Sequence, residues 1–180
     1  MSEKAQFVLL AQYNALMNRR LLAAAGRLSD ASLGADRGAF FKSVIGTLNH
    51  IMVGDLLWLN RFATHPNAYP ALAPLAEIAK PTQLDEILHA DLDAFEQSRY
   101  ALDDLIIRWC DQLQARDLDD PLRYTNYKGE SHVKRLGDLI LHMFLHQVHH
   151  RGQATTLLSQ AGVDFGDTDL PEILPELENV

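Results

Sequence analysis

Four stretches of the chain place apolar residues at alternating steps of three and four, and these four stripes leave little room for any architecture other than packed helices. In the first, Phe7, Leu10, Asn14, Met17, Leu21, Ala24 and Leu28 mark one helical face that ends near Gly26 and the Ser29-Asp30 pair. The second runs from about Phe40 to Phe62 and is apolar over a wide arc through Phe41, Val44, Leu48, Ile51, Trp58 and Phe62. An arc that wide predicts contact with more than one neighbour. The third is expected to begin near Thr82, whose hydroxyl suits a helix cap, and to carry Leu88, Leu92, Phe95, Arg99, Leu102, Ile106, Trp109 and Leu113. The fourth runs from about Arg135 to Ala161, with Leu136, Leu139, Met143, His146, His150, Ala154, Leu157 and Ala161 on its stripe and Gly162 as its stop.

Between the second and third stripes lie Pro66, Pro70, Pro74 and Pro81, which make residues 63–81 a loop with room for one short turn. That loop is long enough for a crossover connection. Residues 122–125 and 130–133 flank Asn126-Tyr127-Lys128-Gly129 and are compatible with a small hairpin. The tail from Asp164 is acidic, holds Pro171 and Pro175, and is expected to lie across the helices or to be partly mobile. Four amphipathic helices without a convincing sheet predict one all-α domain over residues 1–180, a four-helix bundle.

Composition narrows the function classes. The balance of 24 Asp+Glu against 16 Lys+Arg, a formal charge of -8, disfavours a nucleic-acid partner. Cys110 is the lone cysteine, so an internal disulfide and a cysteine-rich zinc site are both excluded. Beside Trp109 it reads as buried and inert. The N-terminus lacks the apolar core of a signal peptide and no apolar run reaches the roughly 18 residues of a membrane span, which predicts a soluble, cytoplasmic protein. No glycine-rich phosphate loop, dinucleotide fingerprint or nucleophile elbow is present.

What interrupts the stripes carries the chemistry. His146 and His150 are four residues apart, roughly 40° around a helix, so both imidazoles can reach one metal ion. Two imidazoles in an apolar seam are costly to bury without a partner, and a metal consumes their lone pairs. His142 and His149 lie further from the stripe centre and read as flanking residues that support the ligands or touch substrate. His50 is the best third ligand, with Gly46 and Gly54 one turn either side where bulk is missing, although its pattern also suits an ordinary histidine at the edge of the apolar arc. His65, His89 and His132 read as surface residues. Asn14, Asp55 and Arg99 also fall on seams. Arg99 has two readings: a buried ion pair with Asp103 or Asp55 that fixes helix register, or an anchor for an anionic substrate group.

The string His146-Gln147-Val148-His149-His150-Arg151-Gly152-Gln153 resembles the signature of the DinB/YfiT-like superfamily of bacterial metalloproteins, the DNA-damage-inducible family and not the polymerase of similar name. Tyr13-Asn14, Leu48-Asn49-His50 with Asp55 and Trp58-Leu59, Arg99 with Asp103, and Ala161-Gly162-Val163 with Asp169-Leu170 follow the family pattern in the same order, over nearly the whole chain. The resemblance implies an up-down-down-up four-helix bundle, a homodimer, and a site of His50, His146 and His150 open to water or substrate. It implies nickel or zinc as the metal, and relatives that are bacillithiol- or mycothiol-dependent S-transferases or a mycothiol-dependent maleylpyruvate isomerase. The leading expectation is therefore a metal-dependent enzyme that transfers a low-molecular-weight thiol to a small electrophile. A metal-dependent hydrolase, a non-catalytic metal- or ligand-binding stress protein, and a bundle whose histidines hold no metal are the alternatives.

Overall fold

The structure is a computed structural model that describes residues 1–176. It is mostly helical, with long helices α1 (Glu3–Ala25), α3 (Val44–Phe62), α4 (Leu92–Gln112) and α5 (Leu136–Gln160) and a short α2 (Asp30–Gly34). The helix starts follow the hydroxyl and carboxylate side chains that precede them. Ser2, Ser29, Ser43 and Asp91 each accept a hydrogen bond from a backbone N–H three residues on, which satisfies donors that a helix N-terminus otherwise leaves bare. At the far end of α5, Gly162 has φ +77°, and Val163 and Gly162 donate back to Leu158 and Ser159 at 3.0 and 2.9 Å. This Schellman closure is the stop that the glycine announces.

Two expected helix starts are corrected. The second long helix begins at Val44 and not at Phe40: Lys42 has φ +65°, Phe40 is exposed, and Phe41 belongs to the turn before the helix. The third begins at Leu92 and not at Thr82. There the Glu86 carboxylate accepts from the Thr82 and Gln83 amides and the Thr82 hydroxyl, folding residues 82–86 into a compact loop, and Asp91 makes the cap instead. The all-α reading is also amended. Pro121–Thr125 (β1) and Ser131–Arg135 (β2) pair antiparallel, with Leu122 opposite Lys134 and Tyr124 opposite His132. The proline-rich connection contains a 3-10 helix over Pro70–Glu77, the short turn expected there.

α1 packs along α4 and α5, and α3 lies along α5. Phe7, Met17, Leu21, Leu59, Phe62, Phe95, Ile106, Trp109, Ile140 and Met143 fill the interior. Cys110 is buried among them, and burial pushes its thiol well above the usual range. The buried face of α5 is centred on Met143, Gln147, Arg151 and Ala154, about one residue away from the stripe centre read from the sequence. His146 and His150 therefore flank that face, half-buried, on the side toward α3. His65, expected at the surface, is 3% exposed, stacked on Tyr69 with Asp120 3.4 Å from its Nε2. Residues 167–172 of the tail lie on α1, where the Tyr13 hydroxyl donates to the Thr168 carbonyl at 2.5 Å and Arg20 donates to Asp167 O and Glu172 at 2.6 and 2.8 Å; the last four residues of the expected tail are outside the described residues. No helix among the described residues is long and apolar enough to cross a membrane.

Candidate metal centre

α3 and α5 bring three imidazoles to one point. His50 Nε2 lies 3.2 Å from His146 Nε2 and 3.1 Å from His150 Nε2. A tetrahedral ion with bonds of about 2.05 Å spaces its ligand atoms about 3.3 Å apart, so His50 Nε2 already stands near that separation from each of the other two, and all three ligand atoms lie within 4.8 Å of one another. Their other ring nitrogens settle which of them carry protons. His50 Nδ1–H donates to the Leu84 carbonyl at 2.7 Å, and His150 Nδ1–H donates to Gln153 Oε1 at 2.8 Å. A neutral imidazole has one N–H, so both Nε2 atoms present bare lone pairs to each other. Two lone pairs at 3.1 Å repel unless a cation lies between them.

A proton is a poor choice for that cation. Burial pushes all three histidines below their ordinary value, the backbone hydrogen bond to Leu84 and the contact with Gln153 only partly opposing it at His50 and His150. His146 is driven furthest, to about 3, by burial first and then by the neighbouring imidazoles. The cluster is thus neutral and nitrogen-rich at ordinary pH, which is the donor set that Zn, Ni, Cu and Fe favour. These three residues form a group able to hold a metal ion among the described residues.

Local sequence explains why the rings converge. A Cβ on Gly54 would lie 2.5 Å from His146 Cε1, so only glycine lets that ring lie against α3. A Cβ on Gly46 would lie 2.2 Å from the Phe41 carbonyl oxygen, and the close approach allows Phe41 to stack on His50 with centroids 3.7 Å apart. The Asn49 side chain donates to His89 O at 2.9 Å and accepts from His89 N at 3.0 Å, pinning the loop that presents Leu84 to His50. The sequence assigned no role at the site to Asn49, Phe41 or Leu84. Asn49 sits in the Leu48-Asn49-His50 string, but nothing in its spacing identifies its loop partner.

The remaining expected site residues divide. His142 lines a cleft of about 650 Å³ together with His50, His146, Trp58, Arg61 and Tyr124. Burial, with the positive charges of Arg61 and Lys134, holds the His142 imidazole below its ordinary value. His149 is exposed and stands edge-on to His150, centroids 4.7 Å apart. Asn14, Asp55 and Arg99 do not line the cleft. They belong to an interior polar network in which Arg99 bridges Asp55 at 2.5 Å and Asp103 at 2.8 Å, Asn18 donates to Asp103, and Arg151 donates to Asn14 at 2.8 Å. The two arginines balance the two aspartates. The Arg99 guanidinium, 2% exposed and paired with both aspartates, has the arrangement of the register-fixing ion pair and not of an anchor open to the cleft.

A largely helical chain in which two helices converge three imidazoles beside an open cleft defines a protein with a group able to hold a metal ion. The chain belongs to the DinB family, whose model matches residues 1–176. It is 24% identical over 165 residues to Protein DinB of Bacillus subtilis (strain 168), covering 89% of this chain and 88% of that protein. No solved structure matches significantly.

Two consequences are measurable. Gly54→Ala should lower metal affinity about 10–100-fold, the range for disturbing the support of a ligand. Its metal-free form should be no less stable, because alanine favours a helix interior over glycine by about 1 kcal/mol. A zinc titration and a melting curve of the same sample check both halves. The lowered histidines set the sign of the acid response. In the unfolded chain each titrates near 6.5, so below that pH the unfolded state binds more protons. The histidines' contribution to the stability of the metal-free protein is complete above about pH 6.5 and is lost as pH falls toward the native value of His146, about 3. Melting of chelated wild type should therefore fall more steeply between pH 7.5 and 5 than melting of His146→Ala, and equal slopes would contradict the assignment.

Proposed function

We propose that this chain is a four-helix-bundle metalloenzyme in which His50, His146 and His150 hold one divalent ion, nickel or zinc, and that it transfers a low-molecular-weight thiol to a small electrophile. The observation that carries the reading is the convergence of three imidazole nitrogens, two of them on rings whose proton is committed elsewhere, beside a cleft of about 650 Å³ that reaches His50 and His146. Three neutral ligands leave a bound ion its full positive charge and an open position, from which it can bind a thiol as thiolate. The histidines fix that position, and Leu84 and Gln153 hold two of the rings in the productive tautomer. Phe41 covers the outer face of His50 and limits water there. The reaction forms a carbon–sulfur bond as the acceptor's carbon–leaving-group bond breaks; the leaving group departs with that electron pair, as chloride does from monochlorobimane, and the thiol proton passes to solvent.

The open cleft favours catalysis over storage, since a storage site needs no substrate-sized space beside the ion. The long 3-10-containing connection between α3 and α4 suits the crossover of an up-down-down-up bundle, and the exposed Leu141, Leu145 and Val148 on α5 suit a homodimer. A cytoplasmic setting, where thiols are plentiful, fits the same reaction. The test is thiol consumption with an alkylating acceptor such as monochlorobimane, using chelated protein and protein reconstituted with zinc or nickel. Metal-dependent turnover that disappears in His50→Ala supports the reading. Turnover of an ester but not of thiol plus acceptor would replace it with hydrolysis. Stoichiometric metal without either activity would replace it with a non-catalytic binding role.

A further inference from the structure

The cleft beside the histidines differs in charge from the rest of the chain. The protein carries 24 acidic residues against 16 basic ones, yet among the described residues no Asp or Glu lines this cleft, while Arg61 does. Arg61 sits in the last turn of α3. Its guanidinium carbon lies 4.5 Å from the centre of the Trp58 ring and 5.1 Å from that of Tyr124, and Nη2 donates to the Thr125 carbonyl at 3.2 Å. The fork is thus held by two aromatic rings and one backbone oxygen. Among the described residues no carboxylate comes within 4.0 Å of it, in contrast to Arg20, Arg99 and Arg135, which are all paired. A positioned, partly desolvated guanidinium with no carboxylate partner presents the donor geometry that binds a carboxylate in two-pronged fashion. Leu57, Trp58 and Tyr124 give the cleft an apolar and aromatic stretch of wall, beside the uncharged polar Thr82, Gln83, Thr125 and Asn126.

We infer that the cleft takes a small organic carboxylate, with Arg61 gripping the carboxylate while the apolar body lies along Leu57, Trp58 and Tyr124 and its far end reaches His50 and His146. The metal-enzyme reading is needed only for what happens at that far end; the preference for an anion is a property of Arg61 and exists without metal. Arg61 is thus the cleft cation that the sequence suggested Arg99 to be.

The experiment uses the full chain, chelated and held at pH 8, titrated by ligand-detected NMR with benzoate, with its neutral isostere benzamide, and with N-acetylcysteine as a carboxylate carried by a thiol. Benzoate should bind at least about tenfold tighter than benzamide, the size of one charge-assisted pair. Arg61→Gln should abolish that preference, and Arg61→Lys should retain part of it. Whichever of benzoate and N-acetylcysteine loses more affinity in Arg61→Gln identifies whether acceptor or thiol carries the anion. Equal binding of benzoate and benzamide, no saturable binding of either acid, or unchanged affinity of both acids in Arg61→Gln overturns the inference. Circular dichroism and melting of both variants verify folding. A parallel zinc titration separates the two ideas: absence of zinc uptake sinks the metal reading and leaves the anion preference standing.

Discussion

His146→Ala abolishes stoichiometric binding of a divalent metal, and chelation then ceases to affect the melting temperature. In the wild type, the Nε2 atoms of His146 and His150 lie 3.2 and 3.1 Å from that of His50, with the Nδ1 protons of His50 and His150 fixed on Leu84 O and Gln153 Oε1. Removing one imidazole leaves two ligands, and the expected loss of affinity exceeds the roughly 100-fold that follows from losing an outer partner alone. A metal present at about 1,000 times its Kd stabilises the native state by about 4 kcal/mol. For a chain of this size that corresponds to about 8–16 °C in Tm, taking about 2–4 °C per kcal/mol. Chelation should therefore lower the wild-type melting temperature by that amount and leave His146→Ala unchanged. His149→Ala is the matched control, because His149 is exposed and its ring is outside the convergent group. The measurement is metal content of protein purified without an affinity tag, followed by melting with and without chelator. One equivalent of tightly held metal in His146→Ala would end the three-histidine account.

The parts of this architecture that were readable in advance are those governed by local periodicity and local chemistry. The α1 and α5 stripes, the Gly162 stop and the hairpin around Asn126–Gly129 follow from spacing and turn residues within a few positions of themselves. The His146–His150 pair was legible because one helical turn fixes their relation. What escaped depends on contacts between distant segments. Thr82 looks like a cap, but Glu86 draws the Thr82 and Gln83 amides into a loop, and that loop supplies the carbonyl that orients His50. His65 looks exposed beside Pro66 until Tyr69 and Asp120 close around it. The one-residue offset of the α5 stripe, roughly a quarter turn of the helix, had a similar origin. Gln147 and Arg151 are polar, so their positions did not count toward the apolar face, yet the network with Asn14, Asp55 and Asp103 buries them. Arg61, at the end of α3, carries no pattern that distinguishes it from a solvated arginine; only the hairpin folding back over Trp58 does so.

Arg99→Leu should destabilise the protein by about 3–5 kcal/mol, the cost of breaking a buried ion pair by removing one partner, and lower Tm by about 6–20 °C on the same scale. Arg99 joins Asp55 on α3 to Asp103 on α4, and all three side chains are 0–3% exposed. Leucine would leave two carboxylates facing each other in the interior, with Asn18 compensating only one of them. That charge imbalance, and not lost packing, is the expected cause, and two measurements separate them. Adding Asp103→Asn removes one stranded charge, so the double variant should be less destabilised than the sum of the singles by about 1–3 kcal/mol. Acid should also help the single variant. A stranded carboxyl has a native pKa raised above its unfolded value, so between those values the native state binds more protons and stability rises as pH falls. Wild type, with Arg99 in place, should lack most of this carboxylate contribution on the same descent from pH 7 to 5, so the variant should lose less stability than wild type or gain some. Because Arg99 does not line the cleft, the folded fraction of the variant should still take up metal and prefer benzoate to benzamide. A variant that melts like wild type and has lost that preference would return the anion-binding role to Arg99 and remove it from Arg61.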